Sequence, residues 1–137
     1  MAANTTPIFT KQGNFTPARI AAANTAADGS GTLVLLVTAV TDGTRVDGVR
    51  FINSQATAAA SGAKVLRIFL TDGGNIRLIG EVTMAAATRS TTVIGATSIY
   101  TFDQAIIMKS GQLMSVCMSV YAGAQDQTDA IAYAGDY

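Results

Sequence analysis

Short runs in which apolar and polar residues alternate, separated by glycine-containing turns, recur along the whole chain. Side chains on a strand point to opposite faces with period two, so such runs predict half-buried β-strands. Eight are expected, at 15–20, 32–40, 45–53, 64–71, 76–84, 98–103, 113–121 and 130–135. Within 113–121, Met114, Val116, Met118 and Val120 face one way, and Leu113, Ser115, Cys117, Ser119 and Tyr121 face the other. Within 45–53, Val49 and Phe51 alternate with Arg50 and Ile52. Four of the eight aspartates (Asp28, Asp42, Asp47, Asp72) precede glycine, a pair that tolerates positive φ and marks turns. Because Asp47-Gly48 falls inside a strand, a bulge is expected there. Capped stripes of period 3.6 are missing, which argues against helices.

The segment 64–84 reads as a hairpin around Asp72-Gly73-Gly74-Asn75. With an odd loop that sets Leu70 opposite Ile76, Leu66, Ile68, Leu70, Ile76, Leu78 and Val82 share a core face. Val65, Arg67, Phe69, Arg77, Ile79 and Glu81 then share the outer face. A two-residue loop through Gly73 and Gly74 would shift the pairing by one residue and bring Arg77 and Glu81 beside Leu66 and Leu70. The odd loop keeps charge out of the apolar face and is therefore expected. The outer face is half apolar and bears arginine, as contact surfaces do. A second sheet or a long loop of the same chain is the alternative cover for it.

Eight strands with turn signals every 8–12 residues predict an all-β domain, a sandwich, jelly roll or closed barrel. The expected form is a jelly-roll-like β-sandwich of about eight antiparallel strands over residues 15–137, preceded by an extended N-terminal arm over 1–14. The arm has no strand-length apolar run but carries Ile8 and Phe9 as isolated anchors. The Ala/Thr/Ser-rich stretches 55–63 and 85–97 are the expected longer connections.

Composition narrows the class. The chain has 137 residues, nine basic and nine acidic, for a formal charge of zero. A single domain of this size supports its own core, and zero net charge favours association. Few and scattered Lys and Arg leave no electrostatic footprint for nucleic acid. Alanine contributes 24 residues, so the apolar content is small rather than greasy. The most apolar run, 33–40, is too short to span a bilayer, and the first residues lack the pattern of a secretory signal. Synthesis in a cytoplasm and no membrane partner are the resulting expectations. The one cysteine, Cys117, lies among strand residues and reads as a structural thiol.

Candidate chemistry is sparse. The chain has no histidine, and Glu81 is its only glutamate. Histidine-based triads and imidazole metal sites are thereby excluded, and a paired-carboxylate hydrolase would have to be built from aspartates. Gly29-Ser30-Gly31 and Asp72-Gly73-Gly74-Asn75 are not followed by the Lys-Ser/Thr of a phosphate loop. Asp126, Asp129 and Asp136 offer oxygen ligands of the kind calcium takes, but their spacing matches no known loop. No catalytic residue, metal site or cofactor is expected. There is no Trp, and the four tyrosines (Tyr100, Tyr121, Tyr133, Tyr137) give little sign of a sugar platform.

The run Arg45-Val-Asp-Gly-Val-Arg-Phe-Ile-Asn, then Val65-Leu-Arg-Ile-Phe-Leu-Thr-Asp-Gly, Arg77-Leu-Ile-Gly-Glu-Val, Val120-Tyr-Ala-Gly and Ala134-Gly-Asp-Tyr, resembles small virion proteins of tailed bacteriophages, the capsid decoration or cement proteins. The resemblance spans roughly residues 32–137 and rests on packing and turn patterns. It implies a jelly-roll-like domain, commonly trimeric, on the outer capsid at three-fold or quasi-three-fold positions, bridging major capsid proteins. It implies no catalytic residue. A tail or head-fibre component that binds a host-surface glycan is the alternative. The residues themselves suggest two contact surfaces: the hairpin's outer face (Arg67, Phe69, Arg77, Ile79, Glu81) against a symmetry mate, and the arm (Ile8, Phe9) against the capsid.

Overall fold

The computed structural model describes residues 9–54, 60–123 and 126–137, and within them the protein is all-β. Its strands are β1 (Gln12–Gly13), β2 (Pro17–Ile20), β3 (Val34–Thr38), β4 (Thr44–Asn53), β5 (Ala60–Ser61), β6 (Lys64–Asp72), β7 (Asn75–Met84), β8 (Ala87–Thr88), β9 (Thr97–Met108), β10 (Leu113–Met118) and β11 (Thr128–Asp136). All eight strands expected from alternation are present. The three pairs of short-strand residues in β1, β5 and β8 are too brief to show a period.

Two antiparallel sheets face each other. In one, β11 and β4 are central, β9 forms one edge, and β1 and β2 lie in succession along the other. The second runs β3-β10-β6-β7. Strands β5 and β8 form a separate two-stranded ladder that ties the β4–β6 connection to the β7–β9 connection. Inward positions of both sheets build one core. Val46, Val49, Phe51, Ala130, Ala132 and Met108 come from the first sheet, and Leu66, Ile68, Met114, Val116, Met118 and Val37 from the second. Facing inner surfaces that interdigitate in this way define a β-sandwich.

The Asp47-Gly48 bulge lies where the sequence places it. Val46 pairs with Ile106 and Gly48 with Thr101, so Asp47 stands opposite residues 102–105 of β9. On the other side of β4 the register also shifts, between Tyr133 and Ala134. A side chain at Gly48 would meet the Tyr100 carbonyl oxygen at 2.5 Å, so the strands close there only around glycine.

The hairpin corrects the expected pairing. Asp72 pairs with Asn75 and Leu70 with Arg77 across a two-residue Gly73-Gly74 loop, both glycines at positive φ (57° and 87°). Two successive positive-φ residues give the primed turn whose twist matches a hairpin. A bulge between Ile68 and Phe69, where Ile68 pairs with Gly80 and Phe69 with Leu78, restores the expected facing but not the expected register, for Leu66 meets Val82 rather than Gly80. The extra residue, Ile79, does what an odd loop would have done. Leu66, Ile68 and Val82 therefore keep their core face, while at the tip Ile76 and Leu78 lie on the outer face and Arg77 on the inner one. Gly80 makes the bulge possible: a Cβ there would sit 2.7 Å from the Tyr100 ring, which reaches over from β9.

Candidate interaction surfaces

On the outer face of the β6–β7 hairpin the chain covers part of itself. The segment 21–33 crosses this side of the sheet. Asn24 donates its amide N–H to the Met118 carbonyl at 2.8 Å, the Arg67 guanidinium reaches the Thr25 carbonyl at 3.4 Å, and the Cys117 thiol lies 3.8 Å from the Asn24 carbonyl. Asn24 holds the loop closed, donating its side-chain amide to the Ser30 and Thr32 carbonyls, both at 2.9 Å. Phe69 is 0% exposed, and Ser115 and Cys117 beside it are buried. Arg67 pairs with Glu81 directly across the strands at 2.8 Å. Of the residues expected at an interface, Phe69 is thus taken up inside the chain and Arg67 and Glu81 satisfy each other. Ile79 packs against the core, and Arg77, exposed at the tip, donates to its neighbour's carbonyl, that of Ile76. The loop of the same chain, the alternative cover, accounts for the buried part of this face.

Burial also settles the character of Cys117. It is a free thiol whose pKa is raised, chiefly by desolvation, with the nearby Arg67 charge working against the shift. A thiol with little thiolate is unreactive.

The N-terminal arm is only partly an arm. Lys11 and Asn14 donate their amides to the Asp136 and Ala134 carbonyls, and Gln12–Gly13 pairs with β11, so residues 11–14 extend the sheet edge. Asn14 and Thr44 both donate side-chain hydrogen bonds to the Asp136 carboxylate, fastening this end. Phe9 is 75% exposed, while Ile8 lies outside the described residues.

The three C-terminal carboxylates weighed as calcium ligands are dispersed. Asp126 is buried against Lys64, Asp129 forms a two-pronged pair with Arg19 (2.8 and 3.1 Å), and Asp136 accepts from Thr44 at 2.6 Å. The Arg19 hydrogen bond holds the Asp129 carboxyl below the ordinary carboxylate range.

The outer face of the β2-β11-β4-β9 sheet is open among the described residues. Pairing aligns Pro17 with Ile131, Ile131 with Arg50, and Arg50 with Ile99, a row across four strands. Ile99 is 53% exposed and Ile107, on the same face beside Arg45, is similarly open. Arg50 makes no ion pair among the described residues, whereas Arg19 and Arg45 each hold an aspartate. At the β1 end of this face, Phe15, Tyr133, Arg45 and Asp47 line a shallow groove of about 360 Å³. The alternation in 45–53 already set Arg50 and Ile52 away from Val49 and Phe51. What it could not show is that Ile99 and Ile131, distant in sequence, flank that arginine.

A scan against protein-family models finds no match, and a search of curated proteins finds none.

Proposed function

We propose that this chain is a structural virion protein that decorates the outer surface of a tailed-phage head, bridging major capsid proteins as a homotrimer. The observation that carries the reading is the outer face of the β2-β11-β4-β9 sheet: Arg50, without an ion pair among the described residues, between exposed Ile99 and partly exposed Ile131, continuous with Ile107. Exposed apolar residues around an arginine suit a protein that works by contact, because burying such a cluster yields most of an interface's energy. Strand order is in keeping with it. Numbering the eight long strands in chain order, one sheet holds the first, eighth, third and sixth, and the other the second, seventh, fourth and fifth. We take this winding as that of a jelly roll, in line with the resemblance to decoration proteins. The exposed Phe9 gives each subunit a second point of attachment, and several weak contacts per trimer add up through avidity.

Co-sedimentation of the purified protein with heads lacking it tests the proposal. The wild-type chain should bind, and Arg50→Ala together with Ile99→Ser should abolish binding while the circular dichroism spectrum stays unchanged. Equal binding by that variant would remove this face from the account.

The groove beside Tyr133 favours a second reading, a tail or head-fibre component that binds a host-surface glycan. Two exposed aromatic rings next to a charged Arg45–Asp47 pair are the furniture of a saccharide site. A glycan array with a specific hit that Tyr133→Ala abolishes would support this reading over the first.

A further inference from the structure

Three side chains from separate segments meet in the interior at one end of the sandwich. Asn53 ends β4 in one sheet, Lys64 begins β6 in the other, and Asp126 lies in the connection from β10 to β11. The Lys64 and Asp126 side chains are 0% and 1% exposed, and Asn53 is equally buried. The Lys64 amine bonds Asp126 Oδ1, and Asn53 donates its Nδ2 to that same oxygen at 3.0 Å. Asp126 Oδ2 accepts the Ala122 amide at 3.0 Å, which fixes the carboxylate's orientation.

An ion pair alone accounts poorly for this arrangement. An ammonium carries three donors, and among the described residues the further acceptor of Lys64, beyond Asp126 Oδ1, is the Met118 thioether at 4.0 Å. Removing both charges from water also costs several kcal/mol per ion, on the order that a buried pair seldom recovers. Passing one proton from the amine to the carboxylate leaves both groups neutral. It also frees a nucleophilic lone pair on an amine that shares its acceptor, Asp126 Oδ1, with the Asn53 carboxamide.

We propose that Lys64 and Asn53 are joined by an intramolecular isopeptide bond, formed in the folded protein with Asp126 as the proton carrier. Asp126 takes one proton from the Lys64 ammonium, and the freed lone pair attacks Asn53 Cγ to form the new C–N bond. As the tetrahedral adduct collapses, the Cγ–Nδ2 bond breaks. Asp126 returns its proton to the departing nitrogen, and the attacking nitrogen gives up a second. The ammonium and the carboxamide thus become one secondary amide and one ammonium ion, and Asp126 ends as it began. The hydrogen bond from Asn53 Nδ2 already places the leaving nitrogen at the carboxylate that protonates it. Neither oxidant nor cofactor enters the balance. Held in place, the three groups gain the advantage of fixed orientation that intramolecular reactions have. The product is a covalent tie between the two sheets, independent of what the protein's outer surface binds.

Mass spectrometry of the denatured wild-type chain is the test. The expected mass is below that of the sequence by one ammonia, and proteolysis should yield a branched peptide joining the segments that contain Asn53 and Lys64. Asp126→Asn should restore the unlinked mass. A wild-type mass equal to the sequence overturns the proposal, as does loss of one water with Lys64 joined to Asp126. A linked Asp126→Asn chain would overturn the role given to Asp126. The wild-type measurement decides the bond even where a variant fails to fold.

Discussion

Replacing Gly80 by alanine probes how the two sheets meet. The added Cβ would lie 2.7 and 2.8 Å from two Tyr100 ring carbons. Carbon atoms pack best at about 3.5–4.0 Å, so the ring has to retreat by about 1 Å. The Tyr100 ring is also packed against Phe102, whose ring stands edge-on at 5.1 Å. Overpacking of this kind costs about 1–3 kcal/mol. With Tyr100→Ala the obstacle is gone. The φ of Gly80 is not positive, so Gly80→Ala should then stabilise by about 0.5–1 kcal/mol, through loss of freedom in the unfolded chain. Urea unfolding of the four proteins of this double-mutant cycle measures the coupling, expected at about 1.5–4 kcal/mol. The intrinsic cost of losing the tyrosine appears in both arms and cancels. If Gly80→Ala costs the same with and without the ring, β7 does not close over β9 as described.

Phe69→Ala should lower monomer stability by about 3–5 kcal/mol, the usual loss for a buried aromatic, and leave the oligomeric state alone. Dissociation without loss of stability in light scattering and urea titration would place Phe69 at a partner instead. Cys117 should resist thiol reagents in the native protein and react promptly in denaturant, since burial raises its pKa; rapid native labelling would contradict its cover by the 21–33 loop. The Arg19–Asp129 pair should add little to stability, being largely exposed. Because its folded carboxyl pKa is lowered, that contribution is complete above the unfolded value of about 3.9 and is lost as pH falls through the folded value. The stability gap between wild type and Asp129→Asn should therefore narrow as the pH falls from neutral into the acid range. A gap that persists at the acid end would contradict the assignment.

Alternation and turn chemistry carried most of the architecture. Val49, Phe51, Met114, Val116 and Met118 are inward as their spacing requires, and Asp47-Gly48 is a bulge because an Asp-Gly pair interrupts an otherwise regular strand. The hairpin tip shows where that logic stops. Minimising charge on one face favoured an odd loop. The real chain takes the tight Gly73-Gly74 turn and corrects its register at Ile79, an option that depends on Gly80 meeting Tyr100 from another sheet. The candidate site was legible only in part for the same reason. Phe69 looks outward by parity yet is fully buried, on a side crossed by a loop more than thirty residues earlier in the sequence, which no local pattern reveals. Nor does anything in the strings around Asn53, Lys64 and Asp126 announce that the β4–β6 and β10–β11 connections bring them together.

The proposed work of this protein is contact on a phage head, through the outer face of its β2-β11-β4-β9 sheet. Cryo-electron microscopy of virions whose genome encodes the chain tests it most directly. The account predicts trimers over the shell at three-fold or quasi-three-fold positions, with Arg50, Ile99 and Ile131 buried against a neighbouring subunit or the capsid. Density confined to the tail, or a shell-bound protein that leaves that face open to solvent, would contradict it.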